Sequence, residues 1–151
     1  MLLLLVLSAP AAWAQGDIEQ CFVDQTNAER APLGLGPLAV NQELVAMARR
    51  HSRRMADAGT IFHNNNLGTE APDGWRLIGE NVGVGPSCAA LHQAFMDSPH
   101  HRENIVEPRF NQVGMGVVLS GTTIYITEQF MQAGSAPAPP PAPPPPPPPP
   151  P

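Results

Sequence analysis

Two histidines and a carboxylate, His63, Glu80 and His101, are the side chains of this sequence best suited to act together. Neutral imidazole and carboxylate are donor types that suit Zn²⁺. Three such ligands plus a water make a hydrolytic centre, because the metal lowers the pKa of the water it holds. The three residues come from separate segments and no His-Glu-x-x-His helix joins them, so spacing alone does not select a metal site. A hydrogen-bonded cluster that fixes loops without a metal uses the same residues equally well. A second pattern, Gly85-Pro86-Ser87-Cys88-Ala89, approaches the Gly-x-Ser-x-Gly nucleophile elbow. That elbow needs a large parallel sheet and distant acid and histidine partners, for which this chain is too short.

The other histidines separate by position. His51 falls on the apolar stripe of a helix and reads as a core histidine bonded to a neighbouring loop. His100 and His101 are adjacent in a turn, so only one of them turns inward. His92 lies off the stripe formed by Cys88, Leu91 and Phe95, which places it in solvent. Asn27, Arg30 and Asn104 read as ties between loops through bonds to backbone groups.

These residues need elements to hold them. Asp17 to Arg30 carries Ile18, Cys21 and Phe22 on one helical face, and Ala31-Pro32 with Gly34 and Gly36 ends the run. A second helix opens on Asn41 as N-cap, lines up Leu44, Ala48, His51, Ser52 and Met55, and stops at Gly59. Its arginines, Arg49, Arg50, Arg53 and Arg54, read as a solvated face. His63 to Leu77, with three consecutive asparagines, Pro72 and Asp73-Gly74, is predicted to be a long ordered loop of the kind that serves a site. A third helix follows Pro86 and ends near Ser98-Pro99. Val113–Leu119 and Thr122–Phe130, joined around Ser120-Gly121, predict a β-hairpin. The order of elements predicts an α+β fold with helices covering an antiparallel sheet.

Cys21 and Cys88 both fall on inward helix faces, and with an export signal at the N-terminus a disulfide between them is expected. That signal is residues 1–14: an apolar run from Leu2 to Leu7 closing on Ala12-Trp13-Ala14, with cleavage expected before Gln15. Residues 15–133 form one domain. Residues 134–151 are Gly, Ser, Ala and then nearly unbroken Pro, predicted to extend as a polyproline II arm. The arm reads as a solvated spacer or as a ligand for a Pro-reading partner, on or near the cell envelope. Eight arginines, no lysine and thirteen carboxylates give a formal charge of -5, which argues against a nucleic-acid surface.

The ordered motifs resemble a known family. Asn27-Ala28-Glu29-Arg30 with Leu35 and Pro37-Leu38, His51-Ser52 with Met55, Phe62-His63, Gly79-Glu80-Asn81-Val82, Phe95 to Pro99, His101 to Ile105 and Val113 to Val117 are similar to the CAP superfamily of cysteine-rich secretory proteins, antigen 5 and pathogenesis-related 1 proteins (the SCP domain), in its bacterial form. The resemblance covers about residues 20 to 132. It implies an α-β-α sandwich and a surface cavity lined in many members by two histidines and two acids. The first histidine corresponds to His63, the first acid to Glu80 and the second histidine to His101. Where the second acid would stand, three residues after Phe95, this chain has Ser98.

The expected role is a secreted or envelope-associated binding module for a small ligand, a lipid or a peptide. The alternatives are a metal-assisted hydrolase using His63, Glu80 and His101 with Zn as its metal, and a structural envelope protein. The binding module is favoured because the missing acid weakens the case for a catalytic carboxylate pair.

Overall fold

The computed structural model describes residues 15–134. The proposed signal segment and the Pro-rich arm beyond Gly134 lie outside the described residues. The chain runs α1 (Gln15–Arg30), a 3₁₀ turn (Ala31–Leu33), β1 (Ala39–Val40), α2 (Gln42–Ala58), α3 (Leu67–Glu70), β2 (Trp75–Gly85), α4 (Cys88–Asp97), α5 (Pro99–Ile105), β3 (Gln112–Ser120) and β4 (Thr123–Ala133). The strands form one sheet in the order β1-β3-β4-β2. β2 and β3 pair antiparallel with β4, while the two-residue β1 pairs parallel with β3, so the sheet is mixed where the sequence predicts an antiparallel one. α2 packs on one face, and α1, α4 and α5 pack on the other, an α-β-α sandwich.

α2 forms as its sequence dictates. Asn41 Oδ1 accepts from the Glu43 and Leu44 amides, which satisfies two of the free N–H groups of the first turn, and Gly59 takes the left-handed conformation (φ 65°) that ends the helix. The stripe Leu44, Met47, Ala48, His51, Ser52 and Met55 is buried against the sheet. It can approach so closely because β3 presents Gly114 and Gly116 there. A side chain at either would run into the α2 backbone at Leu44–Val45 or Ala48–Arg49. Ser52 Oγ, buried in this contact, donates to the Gly116 carbonyl at 2.6 Å and also meets Thr127 Oγ1.

On the opposite face Phe22, Leu91, Phe95 and Ile105 join Met115, Val117, Ile126 and Phe130 in one apolar cluster. The Cys21–Cys88 disulfide forms and staples α1 to α4, with Cα atoms 6.4 Å apart. Arg30 is almost wholly buried and donates to the carbonyls of Gly36, Ile105, Glu107 and Phe110. With Asn27, which exchanges two bonds with Leu38, it ties the loops around α1 as expected. Because β1 is so short, β3 becomes an edge beyond Val113. Glu19 covers that edge by accepting from the Val117 amide at 3.0 Å, and Gln15 donates to the Val117 carbonyl.

Several expectations are corrected. The stretch from 63 to 77 is not one loop: it contains α3, and β2 begins at Trp75. β2 does not read as a strand because Gly79, Gly83 and Gly85 interrupt its apolar pattern. Gly79 and Gly83 clear the way for the neighbouring helices, since a Cβ at Gly79 would lie 2.6 Å from Asn104 Oδ1 and one at Gly83 2.8 Å from the Phe95 ring. The turn expected after the third helix is α5. His92 is buried at 4% exposure and is not in solvent: it faces α1, where its Nε2 lies 3.7 Å from Glu29 Oε1. Burial lowers its pKa against the opposing pull of Glu29. The arginine face of α2 is also not uniformly solvated, because Arg49 pairs with the buried Glu19, and Arg54 pairs with Glu70 at 3.1 Å.

Candidate functional site

The site is assembled at the β2 edge of the sheet, where the segment after α2 meets α5. His51 fixes the approach. Its Nδ1 lies 3.2 Å from Arg54 Nη2, a group that can only donate, so Nε2 carries the ring proton and donates to the Phe62 carbonyl at 2.7 Å. The Phe62 ring stands edge-on to the imidazole at 5.3 Å. His51 is thus the core histidine that its place on the stripe predicts, and it anchors the residue before His63.

His63 and Glu80 meet directly. His63 Nδ1 lies 3.0 Å from Glu80 Oε1, and the Asn64 amide donates to the same oxygen at 2.8 Å. Gln129 Nε2, from the paired position on β4, reaches Glu80 Oε2 at 3.4 Å. The carboxylate is therefore buried with both oxygens engaged by donors, and the His63 side chain remains 63% exposed. Asn64 extends the arrangement, donating to Glu70 and accepting from the Asn66 amide at the start of α3.

His101 comes from α5, whose N-cap is Ser98 and whose first residue is Pro99. Its Nδ1 lies 2.8 Å from Ser98 Oγ, and its ring tilts against Phe95 with centroids 5.0 Å apart. Burial lowers the His101 pKa, and the charges that His63 and His100 can carry lower it further. His101 is accordingly neutral at pH 7. The neighbouring His100 side chain is 96% exposed, so of the adjacent pair it is His101 that turns inward.

Beneath these residues lies a polar seam that spacing alone did not reveal. Asn81 is fully buried. Its Nδ2 donates to the His101 carbonyl at 3.1 Å and to Glu128 Oε2 at 2.9 Å, and its Oδ1 accepts from Asn104 Nδ2 at 2.8 Å. Asn104 also donates to the Glu80 carbonyl. β2 and α5 are thus joined by two asparagines at the level of Glu80 and His101. Glu128 is fully buried with Oε1 unpartnered, and burial raises its pKa to about 8 against a smaller opposing effect of the Asn81 bond. One signal could have found it: in the run from Ile124 to Phe130, Glu128 takes an inward position alongside Ile124, Ile126 and Phe130.

The structure thus brings His63, Glu80, Ser98 and His101 to one seam. Two cavities lie elsewhere. One, of about 500 Å³, is walled by Ile18, the Cys21–Cys88 bridge, Pro86, Leu119 and Ile124. The other, of about 380 Å³, lies over Glu43, Arg50, Glu70 and Asp73. The Ser87 of the elbow-like motif is the N-cap of α4, accepting from the Ala90 amide, and Cys88 is in the disulfide.

The donor set can be tested against a metal. His63 and His101 each have Nδ1 occupied and Nε2 without a hydrogen bond among the described residues, while Glu80 is committed to His63, Asn64 and Gln129. Among the described residues no group of three or more His, Cys, Asp or Glu could hold a metal ion. The arrangement thus offers two imidazole donors and lacks the full ligand set of a zinc centre.

Comparison with known proteins agrees with the fold. The Cysteine-rich secretory protein family (CAP) matches residues 23–131. The Bacillus subtilis protein YkwD is 33% identical over 121 residues, covering 75% of this chain. The chain spans 46% of that relative's length. An extracellular protein of Bacillus anthracis containing an SCP domain superposes with a TM-score of 0.69 at 27% identity, over 83% of this chain and 45% of that one. An outer surface protein of Borrelia burgdorferi superposes with a TM-score of 0.74 at 15% identity, over 80% of this chain and 96% of that one, a likeness of fold alone.

Proposed function

Since the chain belongs to the cysteine-rich secretory protein (CAP) family, we propose that it is an extracytoplasmic binding module whose β2-edge seam presents the imidazoles of His63 and His101 to a ligand without turning it over. The observation that carries this reading is the engagement of Glu80. Its carboxylate is buried under donors from His63, Asn64 and Gln129, so its part is to hold the seam together. Ser98 stands where a second carboxylate would be needed, and it orients His101. What remains open is Nε2 of each ring, one exposed and one half-buried. These suit hydrogen bonds to a polar headgroup or a peptide group, with the exposed Phe62 as apolar contact beside them. The similar SCP-domain protein of Bacillus anthracis, described as extracellular, supports the location.

A second reading, metal-assisted hydrolysis, is favoured by one observation. His63 and His101 each keep Nε2 without a hydrogen bond among the described residues, and neutral imidazole is a common ligand of a divalent ion. Calorimetric titration with Zn²⁺ separates the readings, comparing wild type with His63→Ala and His101→Ala. The binding reading expects no saturable one-to-one site that both variants lose, and no turnover of an ester and peptide panel with or without Zn²⁺. A stoichiometric site lost in both variants, accompanied by turnover, would replace it with the hydrolase.

A further inference from the structure

Trp75 is the first residue of β2, and it pairs with Ala133, the last residue of β4. The register shifts between Trp75 and Leu77, so Arg76 is an extra residue, and a bulge of this kind re-aims the side chain at its start. The Trp75 side chain is held there. Its indole Nε1 donates to the Gly68 carbonyl at 3.1 Å, and one side of the ring rests so closely on Gly68 that a Cβ there would lie 3.2 Å from Cζ2. Trp75 is nonetheless 40% exposed. A solitary exposed apolar side chain is ordinary. Here the ring is bonded by its only polar group to the domain, stands on a bulge and offers aromatic surface to solvent.

What leaves the domain beside this ring decides its occupant. One residue beyond Ala133 the chain turns at Gly134, in the left-handed conformation (φ 68°). It then continues as Ser135-Ala136-Pro137-Ala138-Pro139 and on through nearly unbroken proline to Pro151. Proline-rich chain in the polyproline II conformation has its entropy already reduced and makes no internal hydrogen bonds, and its rings pack on aromatic surfaces in the recurring mode of Pro-rich recognition. With a rise of about 3.1 Å per residue, the first prolines reach a ring next to Ala133 without strain. So short a tether sets an effective concentration in the millimolar range, far above that of any second chain in dilute solution.

We propose that Trp75 is the docking platform for the chain's own Pro-rich arm, and that Pro137 and the prolines following it pack on the exposed ring. The arm is then a ligand in cis that covers the end of β2, and not a free spacer. No hydrogen bond from the indole is required, since Nε1 is already engaged by Gly68, so the contact is one of apolar surface and tolerates any proline register.

The sequence supplies its own probe: apart from Trp13 in the expected signal segment, Trp75 is the sole tryptophan. Fluorescence of the chain with Trp13 removed by processing or by Trp13→Phe therefore reports this ring alone. It is compared with the same chain carrying a Gly/Ser sequence in place of residues 135–151. Docking predicts bluer emission and acrylamide quenching about twofold weaker with the native arm, because packed proline rings would exclude water from the exposed ring. Both differences should be independent of protein concentration. Equal emission and quenching in the two chains would overturn the proposal. So would a difference that disappears on dilution, since the arm of a second copy would then be the occupant. Circular dichroism of both chains confirms that the domain is folded in each.

Discussion

α2 and α5 are both held against the sheet, by opposite means. Under α2 the contact is largely dry: a stripe of apolar and small side chains settles on Gly114 and Gly116, and the one bridging polar pair, Ser52 and Thr127, is satisfied within it. Under α5 the contact is a chain of hydrogen bonds, from the Glu80 backbone carbonyl through the Asn104 and Asn81 side chains to the Glu128 carboxyl and the His101 carbonyl. The first contact rests on shape and the exclusion of water, which tolerate small apolar exchanges. The second rests on individual hydrogen bonds, each of which leaves a buried group without a partner when removed. His101, the histidine of the candidate site on α5, rides on the second.

The sharpest test of the dry contact is Gly116→Val. Its side chain has nowhere to go but into the α2 backbone, so stability should fall by about 3 kcal/mol or more, or folding should fail. A urea denaturation midpoint within error of wild type would mean that α2 can lift from the sheet at little cost, and the contrast would collapse.

The matching change in the polar seam is Asn81→Leu, close in volume and unable to bond. It leaves Glu128 without a partner, takes one of two bonds from Asn104 and frees the His101 carbonyl, so the urea denaturation midpoint should report a loss of about 2–3 kcal/mol. Unlike the glycine change it should also disturb the proposed binding seam: a contribution of His101 to ligand binding should weaken more than one of His63, whose ring is held by Glu80.

These two contacts also differ in how much of them the sequence discloses. The α2 stripe, its caps at Asn41 and Gly59, the β3–β4 hairpin and the disulfide follow from periodicity and residue type, because apolar packing is set by which positions face inward. His63, Glu80 and His101 were identifiable as candidates from donor chemistry, and motif order assigned their places. β2 was not legible, since its glycines serve the helices that lie on it and erase the alternation that marks a strand. His92 was misplaced for a related reason. Helical periodicity identifies the most apolar stripe, while the face that α4 turns toward α1 is wider than the stripe and takes in His92 beside Glu29. The partners of Asn81 depend on three-dimensional register between β2, β4 and α5, which no spacing in one strand encodes.

Glu128 gives the seam a pH dependence that the dry contact lacks. Its pKa rises from an ordinary 4.5 to about 8 on folding, chiefly because burial penalises the charged form. The folded state therefore holds a proton that the unfolded chain has released. The stabilisation is complete below the unfolded pKa and is lost as pH climbs from about 4.5 toward 8, at most about 5 kcal/mol for a shift of that size. Glu128→Gln keeps the acceptor for Asn81 and cannot ionise, so its denaturation midpoint should lack this component of the slope. A variant whose pH profile is superimposable on wild type would show that Glu128 does not titrate in the fold.

The smallest effect is expected at the seam's surface end, in the titration of His101 followed by NMR. Its pKa should lie below the ordinary 6.5, with burial as the main cause and the charges of His63 and His100 as lesser ones. His63→Ala removes one of the two histidines whose charge lowers it and should raise the His101 pKa while leaving it below 6.5, since the ring remains packed on Phe95. A return all the way to 6.5 would make His63 the dominant influence and the two rings a tightly coupled electrostatic pair, the arrangement that the hydrolase reading needs. No change would place the rings too far apart to share one ligand atom. A partial rise is what two separate imidazoles produce when they share a seam, each anchored through Nδ1 and each open at Nε2.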